Sequence, residues 1–116
     1  MDKDKMIMLQ MFIIDVLRHD VENLHSIIRL LSDEGCIGWR KAWSHDFTEA
    51  EVAQSLFLNY QENYIKILWH NKSLKCLEEK QIDITKWEDL LKGDLWFKLT
   101  ETGLKKWENW EPPVID

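Results

Sequence analysis

Residues 5 to 33 carry an apolar period that suits a helix, yet the stretch is too long to be one helix in a chain of 116 residues. On a single helix, Leu17, Val21, Leu24, Ile28 and Leu31 would form one stripe, continued upstream by Met6, Leu9 and Ile13. At 1.5 Å per residue that helix would run roughly 40 Å, against a radius of gyration of roughly 13 Å for one domain of this size. The chain must therefore turn back within the stretch. The sequence predicts the break near "RHDVEN", where the Asp20 carboxylate can accept the free N–H groups of a new first turn. Gly35 in "SDEGCIGW" then offers a left-handed stop.

The rest of the chain reads as a mixed half. In "FTEAEV", Thr48 and Glu51 form a capping box, with Phe47 and Val52 at the two staple positions, so a helix begins at Glu49. It carries Val52, Leu56 and Tyr60 on one face. A strand is predicted from Tyr64 to Trp69, followed by a turn at "HNKS". Thr85 and Glu88 in "ITKWEDLLKG" form a second capping box for a short helix that Gly93 can close. "LWFKL" is rich in strand formers, and Thr100 directly after it can cap a last helix that Pro112 and Pro113 stop. Leu104, Trp107 and Trp110 lie on neighbouring faces of that helix. Gly103 early in it costs stability relative to alanine, so its value is room for a close contact.

Composition sets the class: 45% hydrophobic and 31% charged residues with two prolines suit one soluble globular domain over 1–116. Fifteen basic and twenty-one acidic residues give a net charge of -6, which opposes attraction to nucleic acid or an anionic membrane surface. Cys36 and Cys76 have neither zinc-ligand spacing nor a disulfide framework, and the default is two reduced thiols. The run "MIMLQMFII" is diluted by Asp2 and Asp4, is followed at once by Asp15 and lacks a small-x-small cleavage site, so it reads as a buried helix of a cytoplasmic protein. Seven tryptophans exceed what such a core needs for volume, and each indole N–H wants a partner, so some belong at the core's edge.

The strand, Leu-Thr-x-x-Gly corner and Trp-ended helix from Trp96 to Trp110 resemble the C-terminal wing and closing helix of winged-helix domains, including those of small bacterial proteins. The resemblance implies an α+β, mainly helical fold with a helix-turn-helix core, a small β-wing and a C-terminal helix. The helix opening at Glu49 would then take the recognition position, with residues 64–80 and 95–99 as the wing. The segment holding the extra helix at Trp87 is a departure, because it makes the wing connection long and leaves its register open.

A recognition helix usually brings basic or amide side chains to base edges. From Phe47 to Tyr64 there is no lysine or arginine, while Glu49, Glu51 and Glu62 would face an anionic groove. The usable basic patch is Lys66, Lys72 and Lys75 in "YIKILWHNKSLK", which keeps a DNA-binding regulator as the alternative. Asp15, His19 and Glu22, with Glu22 and His25 as a single Glu-x-x-His, fall opposite the apolar stripe and read as a solvated face. No phosphate loop or nucleophile elbow is present, and neither enzyme activity nor a cofactor is predicted. The expectation is an interaction or regulatory adaptor module that binds another protein, with Trp39, Arg40, Trp43, Trp107 and Trp110 as candidate anchors. A homodimer is compatible with either reading.

Overall fold

The computed structural model describes residues 3–32, 47–71, 73–79, 84–91 and 95–111. These form an α+β fold of four α-helices and a four-stranded antiparallel sheet. The break required in the first third of the chain is present. Helix α1 spans Lys3–Leu17, a two-residue strand β1 follows at Glu22–Asn23, and α2 spans Leu24–Leu31. The cap of α2 is Asn23 rather than Asp20: the Asn23 Oδ1 accepts the Ser26 N–H at 2.8 Å, whereas the Asp20 carboxylate accepts the N–H of its own neighbour Val21. Asp20 sits three residues too early because β1 intervenes, a strand the sequence reading did not contain. Ser32 ends α2 before Gly35 is reached, its backbone N–H and its hydroxyl both donating to the Arg29 carbonyl. Gly35, Gly93, Pro112 and Pro113 lie outside the described residues.

Helix α3, Glu49–Gln61, begins where the capping box predicts. The Thr48 hydroxyl accepts from the Glu51 N–H at 3.1 Å and the Glu51 carboxylate accepts from the Thr48 N–H at 2.9 Å. That backbone hydrogen bond, helped by Lys5 at 3.1 Å, holds the Glu51 carboxyl below its ordinary value against the opposing effect of burial. Lys5 also lies 5.4 Å above the Phe47 ring, and Phe47 meets Phe12 edge-on at 5.9 Å, so the start of α3 is fastened to α1 by one cation and two rings. Further along, Asn59 is fully buried and exchanges two hydrogen bonds with Gln10, one through each end of its amide. A buried amide satisfied in this way fixes the register of one helix on the other.

Strands β2 (Ile65–Asn71), β3 (Cys76–Glu79) and β4 (Leu95–Leu99) join β1 in the order β1-β4-β2-β3. The turn after β2 comes two residues later than Trp69, because pairing with β3 continues through Asn71 opposite Cys76. Ile65, Ile67, Leu95 and Phe97 point to one side and enter a single core with Leu9, Phe12, Ile13, Ile27, Val52 and Leu56 of the helices. Between β3 and β4, residues Trp87–Leu91 form a 3₁₀ turn packed on α3, with Leu90 1% exposed. Its capping acid is Asp89 rather than Glu88, since the Asp89 carboxylate accepts from the N–H groups of Thr85 and Lys86. The tighter winding of a 3₁₀ turn and the burial of Asp89 account for the one-residue shift.

Helix α4, Glu101–Glu108, starts in the corner predicted at Thr100. Thr100 donates its N–H to the Tyr64 carbonyl at 3.0 Å and its hydroxyl to the Asn63 carbonyl at 2.6 Å, while that hydroxyl accepts the Gly103 N–H. Asn63 takes a left-handed conformation, φ 62°, that asparagine tolerates better than most side chains. The close approach falls at Gly103, where an added Cβ would lie 2.2 Å from the Tyr64 carbonyl oxygen and 2.6 Å from Leu99 Cδ1.

Gly103→Ala will therefore lower stability by about 1–3 kcal/mol in urea unfolding, although alanine is the better helix former by about 1 kcal/mol. A stabilised variant would mean that the backbone at Tyr64 yields freely. Ser55, fully buried in α3, has a hydroxyl without a hydrogen-bond partner. Ser55→Ala removes that desolvated group and will raise stability by about 1 kcal/mol, and a lowered unfolding midpoint would contradict this account.

Candidate protein-interaction surface

The five described tryptophans, Trp69, Trp87, Trp96, Trp107 and Trp110, are all partly buried and none is fully enclosed. This is the edge position their amphipathic rings favour. Of the predicted anchors, the structure brings Trp107 and Trp110 together with ring centroids 6.0 Å apart at the end of α4. Trp39, Arg40 and Trp43 lie outside the described residues.

The residue that organises the tryptophan pair was not among those predicted. The Arg18 guanidinium lies 4.5 Å over the Trp107 ring and donates two hydrogen bonds to Asp15 Oδ1, at 3.0 and 3.3 Å. Asp15 is 5% exposed, so the solvated face expected for it is overturned. A carboxylate is tolerated there because Arg18 compensates it at the end of α1, where the packing of α4 against α1 excludes water. The Asp15 and Arg18 pair has helical i,i+3 spacing, but no local signal reveals its contact with Trp107, which is far away in sequence.

Beside it opens a cleft of about 390 Å³, lined among others by Leu17, Arg18, His19, Leu99, Thr100 and Leu104. Leu104 is 39% exposed at its rim. The surface thus sets Arg18 and Leu104 near the tilted Trp107 and Trp110 pair, and tryptophan and arginine are the residues most enriched in binding hot spots.

Of the candidate basic patch, the described members Lys66 and Lys75 stand apart on the hairpin. Lys66 lies near the start of β2, ion-paired with Glu79 of β3, whereas Lys75 sits in the hairpin turn at φ 54°. Asn71 at the turn is five residue steps along the strand from Lys66, roughly 17 Å at 3.3 Å per residue. Lys72 lies outside the described residues. Directly across from Lys66 the register places Lys98, which the sequence reading did not select.

Compared with protein-family models, curated proteins and solved structures, the chain has no match.

The Asp15, His19 and Glu22 alignment dissolves because α1 stops at Leu17 and Glu22 belongs to β1. Among the described residues no group of three histidine, cysteine or acidic side chains is placed to hold a metal ion, and no helix is long and apolar enough to cross a membrane. Cys76 is an exposed thiol on β3, and Cys36 lies outside the described residues.

Replacing Arg18 by methionine keeps an unbranched side chain but removes the cation that lies over Trp107 and pairs with Asp15. We expect a loss of about 1–3 kcal/mol in urea unfolding, below the full cost of breaking a buried pair because Arg18 is one-third exposed. Asp15→Asn in the same background should recover part of the loss, and failure to do so would show that the buried charge is not its source.

Proposed function

We propose that this chain is a cytoplasmic, non-enzymatic winged-helix-like module that acts as a regulatory adaptor by binding another protein. The order of elements supports the winged-helix reading: helix, short strand, two helices, then strands and a closing helix, with the first strand paired to the last. The 3₁₀ turn at Trp87–Leu91 is the departure from that order, lengthening the connection between β3 and β4. Binding of protein rather than DNA rests on α3. The helix in the recognition position carries no basic residue, starts with Glu49 and Glu51, and has the chain's own residues Trp87–Leu91 packed against it. A helix so charged and partly covered is poorly suited to a groove lined by phosphates.

The anchors proposed for the partner are Trp39, Arg40, Trp43, Trp107 and Trp110, with the Arg18 guanidinium lying over the Trp107 ring. The competing DNA-binding reading, through Lys66, Lys72 and Lys75, draws support from the exposed hairpin turn that carries Lys75.

A fluorescence-anisotropy titration of labelled mixed-sequence duplex DNA at about 50 and about 200 mM salt separates the two. We expect no binding at the lower salt. Binding that falls steeply with salt and is lost on replacing Lys66, Lys72 and Lys75 by alanine would overturn the adaptor reading.

A further inference from the structure

Helix α4 is attached to the molecule in a different way from α1, α2 and α3. Among the described residues, each of those three helices contributes side chains to the hydrophobic core, whereas no residue of α4 belongs to the core or to the partly buried apolar shell around it. Gly103, which has no side chain to bury, is its one buried residue. Leu104, its one leucine, is left 39% exposed.

The packing beside this helix is open on two sides. The cleft of about 390 Å³ reaches Leu104, and a second of about 170 Å³, lined among others by Ile7, Met11 and Tyr64, reaches Lys106. Two residues correspond to roughly 200° of rotation about the helix axis, so the clefts flank α4 on opposite sides. Atoms that face a gap forgo the dispersion contacts of close packing. Two contacts fasten the helix, one near each end: the Thr100 and Gly103 corner against Tyr64, and the Arg18 guanidinium over Trp107. The second carries a cost of its own, because the Asp15 carboxylate beneath it is buried and relies on Arg18 for compensation.

We infer that α4 opens as a unit from an intact core, with the Arg18 and Trp107 contact as its latch. A segment with few buried apolar contacts opens at a free energy well below that of global unfolding, and the opening of α4 forfeits no core burial. At eight residues the helix is shorter than the roughly 12–15 that hold helical structure alone in water, so the released segment unfolds. Because the latch lies in the last turn, breaking it frees the whole helix instead of letting it fray from its end. In the docked state the guanidinium lies 4.5 Å over the Trp107 ring, and the Trp110 ring is 6.0 Å from that of Trp107. Opening takes Trp107 off Arg18 and releases both rings together with Leu104. The opening is independent of the adaptor reading, but its use rests on that reading: the latch sets the fraction of molecules that offer the tryptophan pair, and a partner selecting the open form binds more weakly by that fraction.

The test is residue-resolved amide hydrogen exchange on the ¹⁵N-labelled full chain, at several urea concentrations below the unfolding transition. Relative to their intrinsic rates, the amides of Leu104 to Glu108 should exchange at least about a hundredfold faster than those of Leu56 and Phe97, and at one common level of protection. Their rates should change little with urea, because the opening exposes little surface, whereas the core amides quicken steeply. Arg18→Met should quicken the α4 amides roughly tenfold. Ile67→Val, a substitution within the core, should quicken the core amides by about fivefold and leave those of α4 unchanged. One level of protection shared by α4 and the core, lowered alike by Ile67→Val, overturns the proposal and leaves the adaptor reading in place, since the duplex DNA titration decides that separately. Protection that falls steadily from Leu104 to Glu108 is end fraying and overturns it as well. Unchanged α4 exchange in Arg18→Met overturns it by removing the latch.

Discussion

The Tyr64 carbonyl group is the point at which β2, β4 and α4 are joined. It accepts the Thr100 N–H, and the Cα of Gly103 lies against it with no space for a side chain. That contact sets the end of β4 beside the start of β2 and turns the chain into α4 in the same few residues. Gly103 is the one fully buried residue of α4, so this contact and the packing of Trp107 on Arg18 hold the helix. The placement of α4 in turn brings Trp107 over Arg18, so the tryptophan surface inherits its geometry from a backbone contact several residues away.

A second constraint comes from α1. Every residue from Met11 to Leu17 is buried, including Asp15, so the later part of this helix is enclosed by α2, α3, α4 and β4 rather than lying on the surface with one apolar stripe. A helix buried on most of its circumference loses the period that marks an amphipathic one. The stripe read from the sequence therefore included Leu9 and Ile13 but passed over Phe12 and Val16, both in the core. It also treated Asp15 as solvated, because an isolated acid in a helical pattern normally is.

What the sequence made legible was local chemistry. The Thr48 and Glu51 capping box and the Thr100 cap each depend on residues within four positions of one another, and each appears where expected. Gly103 is marked by its place early in a helix, although the group it makes room for, the Tyr64 carbonyl, is distant in sequence. What it concealed was either very short or very distant. β1 is two residues long and exists through pairing with β4, so no period of its own marks it. Asn23 rather than Asp20 caps α2 because β1 displaces the helix start, and Asp89 replaces Glu88 because the turn is 3₁₀ and its acid is buried. The Arg18 and Trp107 contact and the Lys66 and Lys98 pairing are products of tertiary closure, and a linear reading found only one member of each.

The strand order has a consequence for how the molecule is assembled in time. β4 lies between β1 and β2, so Phe97 must find Glu22 and Ile67 after most of the chain has been laid down. Such long-range pairings close large loops before they return any stabilisation, and they are slow for that reason. The β2 and β3 hairpin can form from neighbouring residues while the edge that β4 will occupy is still open. The interval between those events exposes Ile65 and Ile67 beside an unpaired strand, the kind of transient surface at which self-association competes with folding.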